Sequence, residues 1–107
     1  MSFSIESEEK TQLIDEAVSI KVGIGNVGLC RDIEYFFHCH NNEELTINDF
    51  LRFFKEFRIA TQIVDLKLFS DTVSDILDIL VENGYIKLQT HHDDPLKRVY
   101  KRQYNIY

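Results

Sequence analysis

Residues 70–90, SDTVSDILDILVENGYIKLQT, restrict the fold of this chain more than any other segment. Four apolar residues recur there at the three- and four-residue spacing of one helix face: Val73, Ile76, Leu77 and Leu80. Ser70 or Asp71 can cap the helix at its start, and Asn83-Gly84 is typical of a helix C-cap. The alternating run YIKLQT then indicates a strand. The segment predicts a helix that leads through a glycine turn into a strand.

Helical patterns precede this segment. Residues 1–7 are expected to be frayed, and a first helix is predicted from near Ser7 to Val22. Apolar residues at helical spacing predict a second helix over 29–40 and a third, Phe-rich helix within 43–57. The stretch 58–69 is compatible with a helix or a strand.

Strand patterns complete the order of elements. Leu45 can form a short strand before the Phe-rich helix, and residues 85–90 form the first strand of a hairpin. Residues 91–97 are rich in turn formers, and 98–107 return as the second strand.

The length and composition fit one globular domain inside the cell. The chain has 107 residues, of which 44% are hydrophobic and 12% aromatic, enough for a core. Its polar, acidic start lacks the features of a signal peptide, and no apolar run is long enough to span a membrane. Cys30 and Cys39 are too few for a disulfide framework of the secreted type. We therefore expect an intracellular protein with free thiols and no membrane contact.

The order of helix, short strand, helix, helix and hairpin resembles the winged-helix (winged helix-turn-helix) superfamily. The resemblance is carried by residues 70–90 and by EELTINDFLRFF (43–54), and it covers roughly 28–107. It implies an α+β fold, a single winged-helix domain over 8–107, with three to four helices followed by a two-stranded β-hairpin wing. Residues 58–69 depart from the pattern, because the joint of a helix-turn-helix is normally only a few residues long.

The third helix of DNA-binding winged helices enters the major groove. In this chain four acidic residues of that helix fall within about 60° of one another, opposite its apolar stripe: Asp71, Asp75, Asp78 and Glu82. Carboxylates repel phosphates, so this helix is poorly suited to reading DNA. The acidic face is interpreted as a protein-contact surface or as a solvated helix face.

Charge is segregated along the sequence. The chain carries 12 Lys and Arg against 18 Asp and Glu, a net charge of −6. Residues 86–107 are net basic, whereas residues 1–85 contain most of the acids. The basic and aromatic residues of the wing could hold nucleic acid or an acidic partner: Lys87, Lys97, Arg98, Tyr100, Lys101, Arg102 and Tyr104. Cross-strand pairing and a charged outer face are the structural alternative.

The run GIGNVG, residues 23–28, has the G-x-G-x-x-G spacing of a dinucleotide-binding loop, and Asp49 follows at a suitable distance. Too few residues remain after Asp49 to complete a dinucleotide-binding sheet. A glycine-rich loop between two helices is the simpler interpretation, and nucleotide binding stays a distant alternative.

The histidines and cysteines do not have the spacing of a metal site. His38 and His40 point to different sides of a helix, while His91-His92 lies in the hairpin tip. Cys39 is flanked by these histidines, but adjacent helical residues diverge and do not form a catalytic pair. No catalytic constellation is evident, so we expect a non-enzyme that needs neither a metal nor a cofactor.

Two functional hypotheses follow. The first is a winged-helix interaction module that binds mainly protein through its acidic third helix, within a replication- or transcription-type assembly. The second is a small DNA-binding regulator that contacts DNA through its basic wing. It would form a homodimer through an apolar face of the N-terminal helix, which contains Leu13, Ile14, Ala17 and Val18.

Overall fold

The computed structural model describes residues 2–57 and 66–102. Within these ranges four α-helices precede an antiparallel hairpin: α1 (Ser2–Lys21), α2 (Val27–Cys39), α3 (Ile47–Phe57), α4 (Leu66–Glu82), β1 (Lys87–Thr90) and β2 (Val99–Lys101). Short 3-10 turns occur at Ile24–Asn26 and Pro95–Lys97. The predicted α+β class is confirmed, and the order of elements is consistent with a winged-helix-like layout.

One apolar core joins the helices to the hairpin. The predicted stripe of α4 is confirmed, because all four of its residues are buried: Val73, Ile76, Leu77 and Leu80. Helix α1 contributes Ile14 and Val18 to the same core. Phe37 of α2 meets Phe50 of α3 with ring centroids 5.0 Å apart, a favourable separation for tilted aromatic rings. The core therefore fixes α4 against the other helices and leaves its opposite face exposed.

The hairpin is tied to the N-terminal half of the chain through Leu45. Leu45 and Tyr100 exchange two backbone hydrogen bonds of 2.8 Å each, so the short strand predicted at Leu45 is a single bridge. On its other side β2 pairs with β1, where Lys87 lies opposite Lys101. Strand β2 is therefore central. The rest of the predicted second strand, 103–107, lies outside the described residues.

Local signals set the two helix ends nearest the hairpin. At the start of α3, Asp49 accepts a hydrogen bond of 2.8 Å from the backbone N–H of Thr46, which satisfies one helix-end donor. At the end of α4, Gly84 has a φ of 73°, and the Tyr85 N–H donates to the Leu80 carbonyl at 2.9 Å. The predicted Asn83-Gly84 C-cap is confirmed by this left-handed turn.

Two helix starts differ from prediction. Helix α1 begins at Ser2, five residues before the expected start near Ser7; residues 2–21 contain neither Pro nor Gly to interrupt it. Helix α4 begins at Leu66, so Ser70 and Asp71 lie inside it and cap nothing. The end of the ambiguous stretch 58–69 is thus helical, and residues 58–65 lie outside the described residues.

Candidate functional site

The acidic residues of α4 form one exposed stripe, which we call the acidic stripe: Asp71, Asp75, Asp78 and Glu82. They recur at intervals of three and four residues, so they line the face of α4 opposite the buried apolar residues. Their side chains reach solvent because α4 packs on its other side against α1 and α3. The placement expected from helical periodicity is what the structure has.

Two ion pairs distinguish one half of the acidic stripe from the other. Lys21 of α1 lies 3.4 Å from Glu82, and Arg98 of the wing lies 3.9 Å from Asp78. Pairs this exposed each contribute about 0–1 kcal/mol. Among the described residues, these ion pairs involve only the C-terminal half of the stripe, Asp78 and Glu82. Asp71 and Asp75 form the exposed anionic half of the stripe, which ends at the middle of α4.

Asp78 is the point at which the helix and the wing meet electrostatically. Partial burial raises the pKa of its carboxyl group, and the neighbouring charges of Asp75 and Glu82 raise it further. Arg98 acts in the opposite direction and lowers this pKa. The acidic helix and the basic wing are therefore adjacent surfaces that partly neutralise each other.

Both wing arginines, Arg98 and Arg102, make contacts with other residues of the same domain. The Nε of Arg98 donates to the His92 carbonyl at 2.7 Å, which holds the two arms of the hairpin tip together. The guanidinium carbon of Arg102 lies 3.6 Å from the ring centroid of Tyr85, and its Nη1 donates to the Tyr85 carbonyl. Tyr85 in turn donates from its hydroxyl to the Glu34 carbonyl at 3.1 Å. These arginines brace the wing, a role that the sequence did not predict.

Tyr100 was predicted at the contact surface, and that placement is wrong. Its relative exposure is 0%, because its side chain fills the core and its backbone pairs with Leu45. Burial raises the pKa of the Tyr100 hydroxyl, and the charge of Asp78 adds to this effect. A ring in this position cannot stack on a base. Tyr104 lies outside the described residues.

The remaining predicted cations are three lysines. Lys87 and Lys101 are directly opposite each other across the hairpin, and Lys97 is exposed in the tip. Asp93 and Asp94 occupy the same tip, so the tip itself has little net charge. The accessible basic patch of the wing is therefore smaller than its sequence suggests.

Two surface grooves lie beside helix α3. One, of about 390 Å³, lies between the starts of α3 and α4 and the wing tip, and it is lined in part by Ile47, Asp71 and Leu96. The other, of about 550 Å³, lies between α2 and α3 and includes Phe36 and Phe53. Each groove combines segments that are distant in sequence, so no local pattern could have predicted it.

The proposed dimer face of α1 is not available as predicted. Ile14 and Val18 are 1% and 0% exposed and belong to the core, so they cannot contact a second copy. Leu13 is 58% exposed on another side of the helix, and Ala17 is partly buried. The apolar periodicity reports the packing of α1 on its own domain.

The glycine-rich loop joins two helices. Helix α1 runs to Lys21, so the β-capable residues before the loop are helical and no strand leads into it. The loop forms a 3-10 turn, and Gly28 already lies inside α2. The strand–loop–helix geometry of a dinucleotide fingerprint is therefore absent from this part of the described chain.

The described residues contain no group of three or more His, Cys, Asp or Glu side chains that could hold a metal ion. Cys30 is buried and its thiol lies 3.6 Å from Glu34; burial raises the pKa of this thiol, so it is protonated at neutral pH. Across the described ranges, none of the helices has the length and hydropathy needed to cross a membrane.

Comparison with known proteins gave no match to a family model, to a curated protein or to a solved structure.

Proposed function

We propose that this chain is a non-enzymatic winged-helix module that works inside the cell by binding a basic segment of a partner protein, within an assembly that handles nucleic acid. The binding surface is the acidic stripe of α4. In this proposal α2, α3 and α4 correspond to the three helices of a winged helix, and α1 is an N-terminal addition.

The exposed anionic half of the stripe is the observation that carries the proposal. In a DNA-binding winged helix, the helix equivalent to α4 inserts into the major groove. Asp71 and Asp75 would then face phosphates, at a cost of about 1 kcal/mol for each contact even in water. The same carboxylates would attract Lys and Arg side chains, and both are exposed enough to be reached.

The internal contacts of the wing support a protein partner over DNA. Arg98 and Arg102 are the wing residues best able to grip phosphates in a bidentate manner. Their side chains instead hold His92, Asp78 and Tyr85. Nucleic acid would have to displace these contacts or rely on lysines alone.

Charge reversal tests the proposal. The probe is a fluorescein-labelled peptide, Lys-Lys-Gly-Ser-Gly-Lys-Lys, titrated with the protein at low salt and followed by anisotropy. Asp75→Lys should weaken binding roughly tenfold, because it replaces an attraction by a repulsion. Glu16→Lys is the matched control, since Glu16 is also exposed but lies on α1. Equal losses in both variants would show that only net charge matters and would refute the proposed surface.

DNA binding through the wing is the competing proposal. It is favoured by the position of Lys87 directly opposite Lys101 on neighbouring strands, which brings two cations together. Gel-shift titration of duplex DNA against salt tests it. If these lysines contact two phosphates, Lys87→Ala combined with Lys101→Ala should reduce the salt slope by about 1.8. Tight binding with that change would replace the protein-contact proposal. These lysines test the wing more cleanly than Arg98 and Arg102, whose replacement also removes internal contacts.

A further inference from the structure

The groove between α4 and the wing tip has an apolar wall beside the acidic stripe. Its volume is about 390 Å³, at the lower end of the range found for ligand-binding pockets. Ile47 at the start of α3 and Pro95 and Leu96 of the tip line it. Asp71 belongs to both the groove and the acidic stripe, so the two features form one continuous surface.

The wall formed by the wing tip is held in place by its own hydrogen bonds. Asp94 accepts from the Leu96 N–H at 3.0 Å, and Pro95 begins the 3-10 turn. The Arg98 N–H donates to the Pro95 carbonyl at 3.2 Å, and the Arg98 side chain fixes the opposite arm of the tip. Leu96 is thereby kept 41% exposed although it is apolar. A backbone held in this way beside a groove reduces the ordering cost of binding.

Charge around the groove indicates what can occupy it. Asp71 and Asp94 line it, and Asp75 continues the negative charge along α4. Of the lining residues that the structure describes, Lys67 alone is cationic. An apolar side chain can fill the groove, and cationic neighbours on the same segment complement the surrounding carboxylates. A purely apolar segment would leave the carboxylates without a complement, and an acidic segment would be repelled by them.

We propose that the groove receives an apolar side chain of leucine type from the basic partner segment, while adjacent Lys or Arg residues lie along Asp71 and Asp75. This inference rests on the proposed function, since it names the anchor by which that partner is recognised. The apolar anchor provides the specificity, because carboxylates alone accept any basic chain.

A pair of peptides separates the anchor from the charges. The first probe is labelled Lys-Lys-Gly-Leu-Gly-Lys-Lys, and the second has Ser in place of Leu. We expect the Leu peptide to bind about tenfold more tightly, because the groove removes most of its side chain from water. Leu96→Ser should remove most of this preference and leave the binding of the Ser peptide unchanged. Leu13→Ser is the matched control, because Leu13 is also exposed but lies on α1.

Each outcome has a defined meaning. If neither peptide binds, the proposed function fails together with the anchor. If both bind equally and Leu96→Ser changes nothing, the anchor is refuted while the acidic surface stands. Amide shifts in an NMR titration with the Leu peptide should centre on Asp71 and Leu96; shifts centred on α1 would refute the groove. If light scattering shows self-association that Leu96→Ser abolishes, the groove holds a second copy of the chain and the proposal is wrong.

Discussion

The wing and helix α4 carry opposite charges and use them in different ways. Arg98 and Arg102 of the wing are engaged with a helix carboxylate, backbone carbonyls and an aromatic ring of their own domain. Asp71 and Asp75 of α4 face solvent at the far end of the acidic stripe. A charged residue indicates a binding surface only after its internal contacts have been considered. By that criterion the helix, and not the wing, is the better candidate.

The comparison is tested most strongly at Tyr100. If the inward face of the wing is structural, Tyr100→Ala should lower the free energy of unfolding by about 3–5 kcal/mol, as for other large aromatic residues removed from a core. Urea denaturation measures the loss. Tyr100→Phe keeps the packing and should cost no more than about 1.5 kcal/mol. A loss below about 1 kcal/mol for the alanine variant would return Tyr100 to the surface.

Arg102 gives the next largest effect. Arg102→Ala removes the contact with the Tyr85 ring and the hydrogen bond to its carbonyl, so we expect a loss of about 2 kcal/mol. The control is Lys87→Ala on exposed β1, which should change stability by less than about 0.5 kcal/mol. Comparable effects of the two changes would mean that the wing arginines do not brace the fold.

The junction between the two regions depends on one glycine. Gly84 has a φ of 73°, a conformation that residues with a Cβ adopt only with strain. Gly84→Ala should therefore cost about 1 kcal/mol or more in a thermal or urea melt. An added Cβ would meet only the flexible end of Lys10, at 3.6 Å, so the cost comes from the backbone. Gly25→Ala, where an added Cβ meets nothing within 4 Å, is the control and should not destabilise the domain.

The smallest effect concerns the contact between the two regions at Asp78. Because the pKa of this carboxyl is raised in the folded protein, its contribution to stability is greatest below its ordinary value of 3.8 and is lost as the pH rises through the folded pKa. Asp78→Asn should therefore become more stable than the unchanged protein as the pH rises from acid to neutral. The side chain is 52% exposed, so solvent screening limits the gain to a few tenths of a kcal/mol, about the size of a surface pair.

An Arg98→Ala background sharpens the measurement at Asp78. Arg98 lowers the pKa of Asp78, and its removal should enlarge the gain from Asp78→Asn. Unfolding midpoints across the acid range for the four proteins of this cycle give the coupling directly. If the stability gained from Asp78→Asn were smaller without Arg98, the attraction between Arg98 of the wing and Asp78 of α4 would be refuted.

The sequence predicted those parts of the fold that have local signals. The stripe of α4, the Asn83-Gly84 cap and the hairpin each follow from periodicity or turn chemistry over a few residues. The helix starts were less accurate, because Ser70 and Asp71 are compatible with a cap as well as with a helix interior. Propensity alone does not decide between these two roles.

The errors at the wing come from interactions that are distant in sequence. Arg98 and Arg102 flank β2 at the alternate positions on either side of Tyr100, and with Tyr100 buried both arginines contact their own domain. Because these three residues alternate along the chain, burial of one predicts that the other two also point towards the domain. The groove beside Leu96 requires α3, α4 and the wing tip to meet, and no spacing within one segment encodes that meeting.

The bridge between Leu45 and Tyr100 joins strand β2 to a residue in the N-terminal half of the chain. Strand β2 needs a partner from the N-terminal half, and the Asn42 N–H provides a further attachment at 2.8 Å to the Arg102 carbonyl. Closing the long loop between these residues is entropically costly until the helices have assembled. We therefore expect the wing to dock after the helices and to unfold together with the rest of the domain. The position of its tip beside α4 is set by the chain between α2 and α3 as much as by its own turn.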